Sequence, residues 1–218
     1  MTTLAIIHTT PATVEPLRAL AQDILPGCDV FNLVDDSILP QLARTGGDIR
    51  TVESRLVQYA RIAQDTGADA ILEACSSVGE VVAAMASAVD IPVVRIDETM
   101  AEAAIQRGSR IGLAATLPTT LNPTLRLLRG KAAAIGREVE ITTALAEGAY
   151  ARLMAGDREG HDTELAAVLL ELARDVEVVV LAQASMARVL PALPVELRDR
   201  FLSSPRLGME RVRMVLGL

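Results

Sequence analysis

Short runs of apolar residues alternate along the chain with longer segments in which apolar positions recur at helical spacing. The apolar runs predict strands near residues 3–8, 28–34, 69–74, 92–96, 109–115, 138–145, 177–182 and 195–202. A run without polar alternation, such as EVVVLA at 177–182, is typical of a parallel sheet covered on both faces. The alternation of strands with helices predicts a doubly wound α/β architecture.

The clearest predicted helix spans residues 48–66. Asp48 can cap its start, and Gly67 follows its end. Its apolar face contains Val52, Leu56, Tyr59 and Ala63.

Two stretches of the first half are echoed in the second half. GADAILEACSSVGE (67–80) matches DVEVVVLAQASMAR (175–188), and LAIIHTTPAT (4–13) matches RIGLAATLPTT (110–120). The echo predicts two pseudo-symmetric lobes, residues 1–96 plus 204–218 and residues 97–203, with mainly parallel sheets. Ligands bind at the carboxyl ends of parallel strands, so we expect an active-site cleft where the strand ends of the two lobes meet.

Composition limits the kinds of binding partner and the cellular compartment that we expect. The 218 residues carry a net charge of −7 with no basic cluster, which disfavours nucleic acid. No apolar run approaches the roughly 18 to 20 residues of a membrane helix, and the N-terminus lacks a basic signal-peptide region. We therefore expect a cytoplasmic protein without membrane association. Two histidines and two cysteines at unrelated spacings make a metal site improbable.

Cys75 follows the predicted strand 69–74 and precedes a predicted helix over 78–89, for which Ser77 and Glu80 form a capping box. A thiol before a helix N-terminus is expected to have a lowered pKa, which suits acid–base chemistry. The alternative is that Cys75 is a small buried core residue. Cys28 begins a strand without a neighbouring base, and packing is its expected role.

Hydroxyl side chains recur after four predicted strands, and such groups can bind a carboxylate together with backbone N–H groups. They are Thr9, Thr10, Ser76, Ser77, Thr116, Thr119, Thr120 and Ser185. Each can also serve as a cap or turn residue. His8 ends the first strand and is a further candidate, whereas His161 is expected in a solvated helix start.

These motifs, in their order, resemble the aspartate/glutamate/hydantoin racemase superfamily. The resemblance rests on AILEACSSVGE, IPVVRIDETMAEAA, RIGLAATLPTT, VVLAQASM and the C-terminal LSSPRLGMERVRMVLG. It implies a two-lobed α/β enzyme without metal or organic cofactor that uses one cysteine of each lobe to move a proton next to a carboxylate. Cys75 matches the first cysteine, but Gln183 occupies the second position, with Ala184 and Ser185 completing the motif.

An amide cannot transfer a proton near neutral pH, so two-thiol racemisation is not available to this chain. We expect an isomerase or racemase-like enzyme of a small carboxylate or carbonyl compound, with Cys75 transferring one proton and water, His8 or a substrate hydroxyl serving the opposite face of the carbon. A single-cysteine decarboxylase is the first alternative, although the retained cysteine of those relatives lies in the other lobe. Covalent catalysis by Cys75 and a binding protein without turnover also stay open. Alanine- and leucine-rich helices make a homo-oligomer plausible.

Overall fold

The computed structural model describes residues 2–218, which form two compact units. The first unit contains the chain up to Ile96 together with Pro205–Leu218, and the second contains Asp97–Ser204. In chain order the elements are β1 (Thr3–His8), α1 (Val14–Ile24), β2 (Asp29–Val34), α2 (Ile38–Arg44), α3 (Arg50–Asp65), β3 (Ala70–Glu73), α4 (Val82–Ala86), β4 (Val93–Arg95), α5 (Glu98–Arg107), β5 (Arg110–Ala115), α6 (Pro118–Ala134), β6 (Glu140–Leu145), α7 (Ala149–Met154), α8 (Arg158–Leu172), β7 (Val178–Leu181), β8 (Phe201–Ser203) and α9 (Ser204–Leu216).

The sheet of the first unit has four parallel strands in the order β2-β1-β3-β4. The central strands β1 and β3 are buried almost throughout. Buried residues along α3, including Val52, Leu56 and Ala63, form the apolar face that its sequence predicted. Asp48 Oδ1 accepts the backbone N–H of Arg50 at 3.1 Å, although the residue directly before α3 is Ile49, which forms no side-chain cap.

The sheet of the second unit repeats this topology, with four parallel strands in the order β6-β5-β7-β8. Its core is built from aliphatic residues of β7 and α8, among them Leu165, Leu169, Val179 and Leu181. The predicted α/β class with parallel sheets is thereby confirmed.

Two predicted elements differ from the observed ones. Residues 195–200 form a 3-10 helix, so the last strand contains only Phe201–Ser203. The helix expected over 78–89 is a 3-10 turn at Gly79–Val81 followed by the short α4. The chain between α4 and β4 includes Pro92, which disfavours helical backbone at the residue before it.

A search of residues 2–218 for a helix long and apolar enough to cross a membrane finds none.

Candidate functional site

The register of β1 and β3 brings Thr9 next to Cys75. Ile7 is the cross-strand partner of Glu73, and the backbone N–H of Ala74 donates to Ile7 O at 3.0 Å. Thr9 and Cys75 each lie two residues beyond that pair. Both therefore lie where the two central strands end, the edge at which parallel sheets bind ligands.

Glu73 is bound to the backbone of Cys75. Its side chain is fully buried, and its Oε1 accepts the backbone N–H of Cys75 at 2.8 Å. Cys75 itself retains partial exposure, although its neighbours Ala74 and Ser76 are buried. The backbone of Cys75 is thus held by an interior carboxylate, while part of the residue stays exposed.

The surroundings of Cys75 favour the neutral thiol. Burial raises the pKa of Cys75 to about 12, and the negative charge of Glu73 acts in the same direction. Hydrogen bonding with the Thr9 side chain and with Ser77 lowers the pKa, but by less. The lowered pKa expected from a helix N-terminus is therefore wrong, because burial and a buried carboxylate outweigh that effect.

Two buried hydroxyls, one on the neighbouring strand end and one on the residue after Cys75, have no nitrogen or oxygen partner among residues 2–218. They are Thr9 Oγ1, which hydrogen-bonds with the Cys75 sulfur, and Ser76 Oγ. A buried hydroxyl without a nitrogen or oxygen partner is costly, and its presence in a folded protein calls for an explanation. We name Thr9, Glu73, Cys75, Ser76 and Ser77 the Cys75 site.

The turn after Cys75 is shaped by an arginine that the sequence did not single out. The residue preceding the 3-10 turn is Val78, which makes no side-chain cap, so the turn does not begin at the expected capping residue, Ser77. A Cβ added at Gly79 would lie 2.5 Å from Arg95 Cζ, so a larger residue here would displace this guanidinium. Arg95 is also the cross-strand partner of Glu73 on β4.

His8 and Thr10 serve the local structure of the first unit. His8 is fully buried, with Nδ1 2.8 Å from Thr13 Oγ1 and Nε2 2.9 Å from Asn32 Oδ1. Burial lowers the pKa of His8 more than the Asn32 hydrogen bond raises it, so the ring is neutral at pH 7. Thr10 caps the 3-10 turn at Pro11–Thr13. Neither side chain points to a role in proton transfer.

In the second unit the same register brings Thr116 next to Gln183. Ala114 pairs with Leu181, and the backbone N–H of Ala182 donates to Ala114 O at 2.9 Å. Gln183 Oε1 accepts the Thr116 backbone N–H at 2.6 Å and its hydroxyl at 3.0 Å. Gln183 Nε2 is also 2.8 Å from this hydroxyl. The Gln183 amide, at the position equivalent to Cys75, is therefore bound to the end of the neighbouring strand β5.

The remaining predicted residues of the second unit lie at helix starts. Thr119 and the buried Thr120 are in the first turn of α6, and the partly exposed Ala184 and Ser185 open a 3-10 helix. His161 was expected to be solvated but is 1% exposed within α8, with Nδ1 2.7 Å from Asp162 Oδ1. The His161 side chain lies on the buried side of α8, which the polar sequence around it did not indicate.

No group of three or more potential metal ligands occurs within the described part of the chain. Cys28 is partly exposed, and burial raises its pKa. The structure shows no acid–base partner that would single it out.

Comparisons with known proteins agree with this architecture. The family model described as Asp/Glu/Hydantoin racemase matches residues 4–212. No curated protein sequence matches the chain significantly.

Several solved structures share the fold. A glutamate racemase isoform from Bacillus anthracis has a TM-score of 0.79 at 14% identity, covering 99% of this chain and 82% of its own. The aspartate racemase from Picrophilus torridus has a TM-score of 0.75 at 12% identity, covering 100% of this chain and 95% of its own. A glycine-to-cysteine mutant of arylmalonate decarboxylase has a TM-score of 0.62 at 17% identity, covering 99% of this chain and 93% of its own.

At these identities the solved structures establish the fold alone, whereas the family model extends over nearly the whole chain. The chain belongs to the Asp/Glu/Hydantoin racemase family.

Proposed function

We propose that the protein is a racemase-like isomerase that moves a proton on the carbon next to the carboxylate or carbonyl group of a small acid: a water molecule or a substrate hydroxyl takes the α-proton, and the Cys75 thiol delivers a proton to the opposite face of that carbon. The observation that carries this proposal is the partly exposed residue Cys75 at the end of a central strand, next to the Thr9 hydroxyl, which hydrogen-bonds with the thiol but has no nitrogen or oxygen partner among residues 2–218. Transfer of a proton by a thiol requires neither a metal nor an organic cofactor.

The Cys75 site suits an anionic substrate. The hydroxyls of Thr9 and Ser76 can donate to a carboxylate or to the enolate that forms when its α-carbon loses a proton. We extend the proposal to the Ser77 hydroxyl, which also hydrogen-bonds with Cys75. Family membership and the names of the solved relatives support amino acids, hydantoins and aryl-substituted diacids as the classes to test.

A decarboxylase is the second candidate, and two observations favour it. Gln183 stands where a second thiol would be required, and its amide already binds Thr116. The neutral state of Cys75 also suits a single protonation step. In that step the substrate C–C bond breaks, carbon dioxide leaves, and the electron pair left on carbon takes the proton of the Cys75 S–H bond.

A screen of glutamate, aspartate, a hydantoin and an arylmalonate tests the proposal. Loss of optical activity without carbon dioxide identifies an isomerase, and release of carbon dioxide identifies a decarboxylase. Either activity should disappear in Cys75→Ala, while ligand binding, followed by calorimetry, should remain. Binding without turnover in the wild-type protein would contradict the enzymatic proposal and favour a binding protein.

A further inference from the structure

We propose that Glu73 is a positioning residue for Cys75: it fixes the backbone of the thiol-bearing residue and opposes formation of the thiolate, so that Cys75 acts as a proton donor. This inference rests on the proposed function and specifies the direction of the proton transfer. Neither the family match nor the structural relatives assign a role to Glu73.

The geometry places the carboxylate and the thiol together. Residues two apart on an extended chain project to the same face, which puts the side chains of Glu73 and Cys75 on one side of the strand end. The carboxylate folds back so that Oε1 receives the Cys75 backbone N–H at 2.8 Å. This bond fixes the residue that carries the sulfur and keeps the negative charge close to it.

The second unit shows that the fold does not require a carboxylate here. Its strand β7 has the same place in the sheet and the same register as β3, and the position equivalent to Glu73 is Leu181. Both side chains are 0% exposed. A buried leucine stabilises such a strand, whereas a buried carboxylate must overcome a large desolvation cost. The carboxylate therefore points to a requirement of Cys75, the residue that Gln183 replaces in the second unit.

The other ionisable groups near this strand end contact different parts of the structure. Arg95, on β4, is the cross-strand partner of Glu73, and its guanidinium passes over Gly79. His8, on β1, is neutral and bonded to Thr13 and Asn32. Glu80, in the turn after Cys75, is exposed. Glu73 is the charged group whose field raises the pKa of Cys75.

The arrangement favours protonation of a carbanionic substrate. The S–H bond of Cys75 breaks as the C–H bond forms, and the S–H electron pair stays on sulfur. The resulting thiolate lies beside the Glu73 carboxylate, and this repulsion favours its reprotonation by water. Glu73 itself exchanges no proton with the substrate.

The test is the rate at which iodoacetamide, an uncharged reagent, alkylates Cys75 at about pH 8, where the thiolate is the reactive form. Glu73→Gln keeps an oxygen for the Cys75 N–H and removes the charge. If the pKa falls by one unit, the thiolate fraction rises about tenfold. The lower nucleophilicity of a less basic thiolate reduces the net increase in rate to about threefold. Peptide mass analysis reads Cys75 and Cys28 separately in the same sample.

Two comparisons make this result specific. Thr9→Val removes the hydroxyl that favours the thiolate, so it should slow alkylation of Cys75. Cys28 is influenced by Asp29 and Asp69 rather than by Glu73, so its alkylation rate should not change in either variant. A rise at Cys75 alone in Glu73→Gln is the expected result.

An unchanged Cys75 rate in Glu73→Gln would overturn the proposal. Loss of the fold in this variant, seen as fast alkylation of both cysteines, would also overturn it, because the carboxylate would then serve the fold. The measurement uses no substrate. It therefore stands or fails independently of whether Cys75→Ala abolishes turnover.

Discussion

Cys75 and Gln183 occupy equivalent positions in the two units, yet their side chains have different surroundings. Cys75 retains exposure, and its backbone N–H is bound by a buried carboxylate. The Gln183 amide is bound to the backbone and hydroxyl of Thr116. A cysteine is therefore available for chemistry in the first unit, while its counterpart in the second unit joins two strands.

The role of Gln183 predicts a stability effect. Gln183→Met preserves side-chain length but leaves the buried Thr116 backbone N–H without its acceptor, which should lower the free energy of unfolding by about 1–3 kcal/mol. Thr116→Val keeps that N–H···O bond and should cost less. Urea unfolding of both variants measures the difference, and equal losses would show that the backbone bond is not the main contribution.

Sequence reasoning singled out Cys75, the proposed proton carrier, but not Glu73, the residue proposed to position it. The strand end and the hydroxyls around Cys75 follow from local pattern, which is why Thr9, Ser76 and Ser77 were identified. Glu73 stands in an apolar run, and its bond to Cys75 depends on how the carboxylate folds back after the strand has been buried. The predicted lowering of the Cys75 pKa had the wrong sign because burial could not be weighed from the sequence.

At the scale of elements, a histidine joins the two strands β1 and β2. His8 Nε2 donates to Asn32 Oδ1, since that oxygen can only accept. Nδ1 lies 2.8 Å from the Thr13 hydroxyl, which itself donates to Thr10 O at 3.2 Å. Burial of the ring lowers the pKa of His8 and therefore favours its neutral form in the folded protein.

This histidine predicts a pH dependence of stability. Burial lowers the pKa of His8 from 6.5, so the unfolded chain takes up the proton first as the pH falls. The free energy of unfolding should be highest above pH 6.5 and should decrease as the pH falls from there toward the pKa of the folded state. His8→Leu removes this titration. If urea midpoints of the two proteins changed in parallel between about pH 7 and pH 5, His8 would not be the cause.

The element boundaries show where the local sequence pattern is sufficient to predict a strand or helix. Strands with strong apolar runs, such as β1 and β5, begin and end within one residue of the predicted bounds. Residues 195–200 are the exception, because the apolar signal there belongs to a 3-10 helix before β8. The predicted helix was also longer than α4, because Ala and Val are compatible with a helix. The point at which the chain turns back to form β4 depends on the sheet rather than on the local sequence.

At the scale of the whole molecule, both units have the same strand order although their sequences share only short motifs. The two echoed stretches predicted this repetition, because each contains one of the central strands and the turn that follows it. Family membership and the racemase-like fold are in agreement with it. The helix α9 adds the last residues of the chain to the first unit.

The packing of α9 on that unit depends on a glycine. A Cβ at Gly208 would lie 2.7 Å from the backbone oxygen of Ile96. Gly208→Ala should therefore lower the free energy of unfolding by about 1–3 kcal/mol through overpacking. Gly130→Ala is the matched control, since this exposed position in α6 has no atom within 4 Å of the added Cβ. It should be stabilised by about 0.5–1 kcal/mol. Similar changes in both variants would contradict this account of α9.

The most direct test of the account is incorporation of deuterium from heavy water into the substrate identified by the screen. The wild-type protein should label the carbon next to the carboxylate or carbonyl. Cys75→Ser, with an unchanged Cys28 alkylation rate as evidence of folding, should slow labelling by at least about 100-fold. Labelling by Cys75→Ser at the wild-type rate would contradict the claim that Cys75 carries the proton.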